Sequence, residues 1–282
     1  MNGGVYLEAS RDVHNALAVI IGIPYDGGTS YRKGAGAAPD AIRAASQSIE
    51  EYSPTLRQDL SDVAYADAGM ILLPSEAPAD VMDAIASFVE SHVRAGRFLV
   101  SLGGDHSISI GTTAGSRRVH GDLAHVVFDA HLDMRPEYDG SEYSNACGTR
   151  HMAKHGPTVA LGIRSGARFE FGDADSMLLA WSPELELPAA ARAEIGSRPV
   201  HLSLDLDVLD PSILSGTGNP EPGGATYKEL RSAVLALAGL NIVAVDICEV
   251  SPGHDPSGVS AVVAAELVRE VILGLVPRGA SM

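Results

Sequence analysis

The stretch His125-Val126-Val127-Phe128-Asp129-Ala130-His131-Leu132-Asp133 decides the fold class of this chain. Its first four residues form a short, nearly unbroken apolar run. A strand that is apolar at consecutive positions is covered on both faces, as strands of parallel sheets are. Five further runs read the same way, at residues 16–23, 98–102, 158–161, 200–204 and 241–245. Helical patterns lie between them. Residues 39–47 open with Pro39 at a first-turn position. Residues 79–94 carry Val81, Ile85, Phe88 and Val89 at helical spacing. Residues 184–198, rich in Ala and Glu, read as one helix. Thr226-Tyr227-Lys228-Glu229 fits a capping box ahead of a helix to about Leu240. The apolar residues 259–276, broken by Glu266, Arg269 and Glu270, form an amphipathic helix. Strands alternating with helices give an α/β fold with a mainly parallel central sheet between helical layers. No linker, repeat or low-complexity tract divides the chain, so a single domain over 1–282 is expected.

Composition narrows the function. Among 282 residues, 45% are hydrophobic and 20% charged, which suits a packed globular protein. Two cysteines provide no disulfide framework and point to a reducing compartment, hence the cytoplasm. Thirty-six acidic against 20 basic residues, a net charge of −16, argue against a nucleic-acid partner. Residues 1–11 lack a basic region followed by an apolar one. The run at 16–23 falls far short of the roughly 20 residues a membrane span needs. No membrane partner is expected.

In open parallel sheets, ligands bind outside the carboxyl ends of the strands. The loops there are chemically unusual. Gly103-Gly104-Asp105-His106-Ser107 follows one run, and residues 129–133 follow the opening one. Asp205-Leu206-Asp207-Val208-Leu209-Asp210 and Asp246-Ile247-Cys248-Glu249 follow two more. In extended chain, residues i, i+2 and i+4 share a side. Asp129, His131 and Asp133 therefore converge, with Ala130 and Leu132 turned away, and Asp205 and Asp207 do likewise. Carboxylates gathered in a cleft need compensating cations. Oxygen ligands mixed with imidazole suit Mn²⁺ or a similar divalent ion better than a thiolate zinc site. Four Asp and two His are too many for one ion and suit two, held roughly 3.5–4 Å apart, that activate a water between them. Taken alone, one Asp-x-His-x-Asp is more often a surface loop; the repetition across four strand ends carries the reading. A calcium loop fails at Leu209, where another oxygen ligand is required. Gly34-Ala35-Gly36 and Gly216-Thr217-Gly218 lack the third glycine of a dinucleotide fingerprint. No Gly-x-Ser-x-Gly elbow is present.

These motifs resemble those of the ureohydrolases, the arginase and agmatinase family. Residues 23–32 and 34–43 are similar to the agmatinase-type N-terminal loop and helix. Residues 103–107, 129–133, 203–211 and 246–252 are similar to the four family signatures. The resemblance implies a three-layer α/β/α fold, shared with deacetylases, and two Mn²⁺ ions per subunit. It implies hydrolysis of a guanidino or amidino C–N bond to urea, or a urea-like product, plus an amine. By position, it implies His106 and Asp133 on one ion, His131 and Asp207 on the other, with Asp129 and Asp205 bridging. Asp133 also counts among the catalytic residues. Glu249 matches the acid that receives the substrate's guanidinium, which a carboxylate can grip by paired hydrogen bonds. Asp105 and Asp246 are read as supports for the ligands. A homo-oligomer is implied as well.

One position departs from the family. Agmatinase-like members carry Ser-His-Ala where this chain has Ser144-Asn145-Ala146, and Asn cannot carry a proton near neutral pH. Four readings stand. Another group replaces the histidine: His254, His151 or His155. The substrate needs less acid assistance. Asn145 contacts an altered substrate. Or the protein is a weak, metal-binding paralogue. An active enzyme on a non-standard guanidino or amidino compound is favoured, with a formimino or N-substituted guanidino substrate as the alternative. Asn145 and His254 are carried as candidate catalytic residues, and Asn145 also as a substrate contact. Cys147 and Cys248 read as packing residues, and His151 and His155 as one solvated helix face. The substrate's tail would meet residues 135–145, 162–174 and 215–224. Arg135 and Arg164 are candidates there to hold a carboxylate. The Gly-rich residues 25–31 could form another wall.

Overall fold

The computed structural model describes residues 4–73, 75 and 77–277; residues 1–3 of the N-terminal reading lie outside them. The strands are β1 (Ala18–Gly22), β2 (Tyr52–Ser53), β3 (Gln58–Asp59), β4 (Tyr65–Met70), β5 (Phe98–Leu102), β6 (Ala124–Phe128), β7 (Thr158–Leu161), β8 (Ala180–Ser182), β9 (Pro199–Asp205) and β10 (Asn241–Cys248). The helices are α1 (Ala38–Ser46), α2 (Pro78–Arg94), α3 (Ile108–His120), α4 (Gly148–Ala153), α5 (Arg168–Met177), α6 (Ala189–Ile195), α7 (Tyr227–Leu235) and α8 (Val259–Leu275). Eight strands form one sheet in the order β4-β1-β5-β10-β9-β6-β7-β8. Every pairing in it is parallel. The antiparallel β2–β3 pair stands apart.

Both faces are covered, as the unbroken apolar runs require. Alternate residues of β1 split between layers: Ile20 packs with Ile42, Leu267 and Val271 of α1 and α8, whereas Val19 and Ile21 pack with Val81, Ile85 and Val89 of α2. β5, β10, β9 and β6 are neighbours at the centre of the sheet. Their carboxyl ends carry the four unusual loops. The topology therefore delivers every predicted ligand to one place.

Several local expectations change. The helix expected over 184–198 is confined to α6, because Pro188 stands at its N-cap. α7 keeps its capping box, with Thr226 N donating to Glu229 Oε2 at 2.8 Å, but ends at Leu235. Gly239, at φ 91°, lies beyond it. Residues 168–174 belong to α5 rather than to a loop. α3 reads poorly as a helix because Gly, Thr and Ser are weak helix formers. Two of its glycines are needed for packing: a Cβ on Gly111 would lie 2.8 Å from Ile85, and one on Gly115 2.4 Å from the Ala86 carbonyl oxygen. Among the described residues, no helix is long and apolar enough to cross a membrane.

Candidate metal centre and active site

Past β6 the chain bends at Ala130 and pairs again at His131 with Ser165. Asp129 N donates to Leu161 O at 3.0 Å and Leu132 N to Ser165 O at 3.1 Å. Alternation thus continues through residue 133: Leu132 packs into a small core with Ala160 and Ile163, leaving the odd-numbered residues on the other side. Asp133 ends the segment at φ 50°, a conformation costly for a non-glycine residue and frequent at functional sites. Glu249, just past β10, does the same at φ 63°. Asp205 closes β9 and caps a 3-10 turn, its carboxylate accepting from Asp207 N at 2.9 Å. Asp207 therefore reaches the site from a turn rather than from an extended strand. At the end of β5, a Cβ on Gly104 would come within 1.5 Å of the Tyr25 carbonyl oxygen, so only glycine fits.

These ends build one cluster. His106 Nδ1 lies 2.8 Å from Asp133 Oδ2, 3.1 Å from Asp129 Oδ2 and 3.4 Å from Asp205 Oδ2. His131 Nδ1 lies 2.9 Å from Asp207 Oδ2 and 3.7 Å from Asp129 Oδ1. Ligand atoms of His106, Asp129, Asp133 and Asp205 fall within 4.8 Å of one another, as do those of Asp129, His131 and Asp207. The two groups share Asp129. Asp205 gathers with the first group and lines the same cavity as His131 and Asp207.

The electrostatics express the crowding. Burial and then the Asp129 charge raise Asp133 to about 7. Burial, then Asp207 and Asp129, push Asp205 well up. Burial alone would lower both histidines, but neighbouring carboxylates reverse this and hold them well above the usual range. Asp129 is buried too, yet hydrogen bonds from His106 and His131 bring it below the usual carboxylate range. Asp129 Oδ2, 3.1 Å from His106 Nδ1, is nonetheless buried without a well-aligned donor. Carboxylates and imidazole nitrogens facing one another, with an orphaned buried oxygen, make a donor set that fits divalent cations.

A third convergence, His106, Asp246 and Cys248, is of another kind. Burial drives the Cys248 thiol well up, and its Sγ contacts Leu204 O at 3.6 Å. Burial likewise raises Cys147 to about 11. Both are buried packing residues with free thiols.

A cavity of about 410 Å³ opens directly on the cluster. His131, Asp133, Asp205, Asp207, Asn145 and Glu249 line it, together with Ser30, Arg135, Tyr138, Ser165, Glu170 and Asn219. All three expected tail-binding segments and the Gly-rich N-terminal loop therefore contribute to its wall. Glu249 Oε1 accepts from His106 N at 2.8 Å and from Asn145 Nδ2 at 3.1 Å. Its Oε2 is buried with no partner. Burial, then the Asp105 charge, raise Glu249 to about 8. Asn145 is fixed in turn: its Oδ1 accepts from Ser30 N at 3.1 Å and Ser144 Oγ at 3.2 Å. Asp105 anchors that N-terminal loop, accepting from Gly28 N at 2.8 Å and Thr29 Oγ1 at 3.1 Å.

Other candidates are placed elsewhere. His254 does not line the cavity, and its Nε2 is bonded to Lys33 O at 2.9 Å, because the chain turns away at Ser251-Pro252. His151 stacks on Tyr143 and bonds Glu142 O, so it is not a solvated face. His155 lies beyond the end of α4 and is exposed. Arg164 is consumed by backbone carbonyls, bonding Asp207 O at 2.8 Å and Glu221 O at 2.7 Å. It braces the loop and is not a ligand for a tail. Arg135 does reach the cavity, with Tyr138 and Phe169 against its guanidinium and Glu170 3.6 Å away.

A family model described as the arginase family matches residues 16–274. The chain belongs to the arginase family. As an agmatinase-like ureohydrolase it is a hydrolase acting on C–N bonds of linear amidines, and the members of this family are metal-dependent. It is 36% identical over 282 residues to an agmatinase of Bacillus subtilis, covering 98% of this chain and 97% of that protein. It is 32% identical over 270 residues to a proclavaminate amidinohydrolase of Streptomyces clavuligerus, covering 90% and 86%. An agmatine ureohydrolase of Thermoplasma volcanium superposes with a TM-score of 0.83 at 32% identity, covering 96% and 93%. The arginase family's three-layer fold is therefore shared along nearly the whole chain.

Proposed function

We propose that the chain, as one ureohydrolase-like domain over 1–282, binds two Mn²⁺ ions and hydrolyses the C–N bond of a small guanidino or amidino compound. His106 and Asp133 would hold one ion, His131 and Asp207 the other, with Asp129 and Asp205 shared. When bound, the ions supply a water-derived nucleophile at neutral pH and neutralise the gathered carboxylates. Glu249 receives the substrate: its unpartnered Oε2 accepts an N–H of the planar cation and sets the amidine carbon against the cluster. Asn145 and His106 N hold Oε1, so Glu249 is oriented before substrate arrives. In the balanced reaction, water adds to the amidine carbon and the bond to the leaving nitrogen breaks. Both hydrogens of the water end on the departing nitrogen, which leaves as an ammonium, and its oxygen stays on carbon as the carbonyl of urea or a urea-like amide. The observation that carries this reading is the buried, unpaired Glu249 Oε2 on the wall of the cavity that opens on the histidine–aspartate cluster.

Asn145 supports a second reading, a formimino or N-substituted guanidino substrate. Only one Glu249 oxygen is unpartnered, so a single N–H suffices for recognition. Two unpaired thiols accord with a reducing cytoplasm, and a homo-oligomer follows the family resemblance.

The test is a panel of agmatine, arginine, guanidino acids and formimino compounds offered to the Mn²⁺-loaded protein. Release of urea or a urea-like amide with equimolar amine on at least one compound is expected. Stoichiometric Mn²⁺ binding with no turnover on any compound would favour the non-catalytic paralogue instead.

A further inference from the structure

Behind His106, away from the cavity, lies a second polar assembly that the reaction does not touch. Ser203, Asp246 and His201 are 0–1% exposed, and Thr112 and Ser116 are fully buried. His201 and Ser203 belong to β9 and alternate with Asp205 at i, i+2 and i+4. His106 Nε2 lies 3.0 Å from Ser203 Oγ. Ser203 Oγ donates to Asp246 Oδ2. Asp246 Oδ1 accepts from Thr112 Oγ1 at 2.8 Å and is paired with His201 Nε2. His201 Nδ1 lies 3.1 Å from Ser116 Oγ, whose hydrogen goes to Thr112 O.

Counting hydrogens fixes the direction of the bond to His106, whichever way the His201 Nδ1–Ser116 Oγ bond runs. The one proton between His201 Nε2 and Asp246 Oδ1 can sit on either atom; in both arrangements Oδ2 is an acceptor. Ser203 has a single hydrogen, and Oδ2 takes it. Toward His106, Ser203 Oγ therefore offers only lone pairs, and His106 Nε2 must be an N–H.

We propose that Ser203, Asp246 and His201 are positioning residues that lock the His106 proton on Nε2. The bare Nδ1 lone pair would thereby be free for a cation that Asp129, Asp133 and Asp205 would also hold. The relay works through His106 and touches neither substrate nor reacting atoms. It explains two polar residues, His201 and Ser203, in the middle of an otherwise apolar central strand. The inference rests on the metal-centre reading above.

The test combines affinity with a spectroscopic signature. Mn²⁺ binding is titrated by calorimetry on wild type, Ser203→Ala and Asp246→Asn. Long-range ¹H–¹⁵N spectra are recorded on Zn²⁺-loaded, ¹⁵N-histidine-labelled wild type, with His106→Asn used to assign the ring. Wild type is expected to bind Mn²⁺ and to show a protonated Nε2 on His106. Ser203→Ala weakens Mn²⁺ about 10- to 100-fold. Asp246→Asn weakens it more: with the amide oxygen kept by Thr112 and His201, the amide N–H₂ faces Ser203, turning its hydroxyl onto His106 Nε2 and driving the proton to Nδ1. If wild type binds neither Mn²⁺ nor Zn²⁺, the metal-centre reading falls and this inference with it. If wild type binds both ions but carries its proton on Nδ1, or both variants bind Mn²⁺ like wild type, the relay alone is overturned. A wild-type spectrum with the proton on Nδ1 overturns the relay even where a variant fails to fold.

Discussion

Two regions of this molecule bury charge, and they do it oppositely. Under the sheet's edge, Arg43 grips Asp67 with Nε–Oδ2 at 2.8 Å and Nη2–Oδ1 at 2.9 Å. Tyr6 N and Gly69 N complete the carboxylate, at 2.8 and 2.9 Å. Each charge there has its partner within the chain, and the result is structural. At the carboxyl ends of the four central strands, Asp129, Asp133, Asp205, Asp207 and Glu249 surround two histidines. There, Glu249 Oε2 is buried without a donor, and Asp129 Oδ2 without a well-aligned one. Burying a carboxylate is costly in either place. In the first region the chain itself supplies the balance; in the second, the proposed cations and cationic substrate would supply it.

The largest effect should come from breaking the closed pair. Arg43→Ala leaves Asp67 buried and uncompensated, and should destabilise the fold by about 3–5 kcal/mol, read by denaturant unfolding. The turnover number of the protein that remains folded should be unchanged, since the pair lies outside the cavity. At the open cluster the reverse is expected. Glu249→Gln keeps the shape but removes the charge, so kcat/KM on the substrate found should fall about 100-fold with little change in stability. A variant that unfolds rather than losing activity would erase the distinction between the two regions.

A third effect concerns pH. With metal chelated, Asp133 and Glu249 titrate near 7 and 8, above their unfolded values. Raised acids stabilise the fold while protonated and lose that contribution as pH rises through the folded values. The histidines, also raised, act in the same direction. Chelated protein should therefore lose melting temperature between about pH 6 and 9, and excess Mn²⁺ should remove most of that loss. A flat profile for the chelated protein would contradict the crowding. The smallest effect is at Asn145. Asn145→His places a group that titrates near neutral pH against Glu249, so the pH–rate profile should gain an inflection between about 6 and 8. An unchanged profile on every substrate would remove this position from the chemistry.

The two regions also differ in how plainly the sequence shows them. The central strands are legible because their apolar runs are unbroken, and the ligands because they follow those runs at once. The edges are not: β4 reads Tyr-Ala-Asp-Ala-Gly-Met and β8 has three residues, too little pattern for a strand. α3 hides behind glycines that serve its contact with α2. Glu249 and Asn145 come together as expected although 104 positions separate them. His254, five residues from Glu249, does not, because spacing along a turning loop carries no direction. His201 and Ser203 were concealed inside an apolar run, where only the three-dimensional partners reveal their work. Arg164 reads as a free cation and proves to be a brace, since backbone carbonyls leave no mark in sequence.

We propose that two cations balance the open cluster. Anomalous diffraction at the manganese edge, from crystals grown with Mn²⁺, tests it most directly. Two peaks are expected, one against His106 and Asp133 and one against His131 and Asp207, with Asp129 touching both. A single peak, or none among these residues, would contradict it.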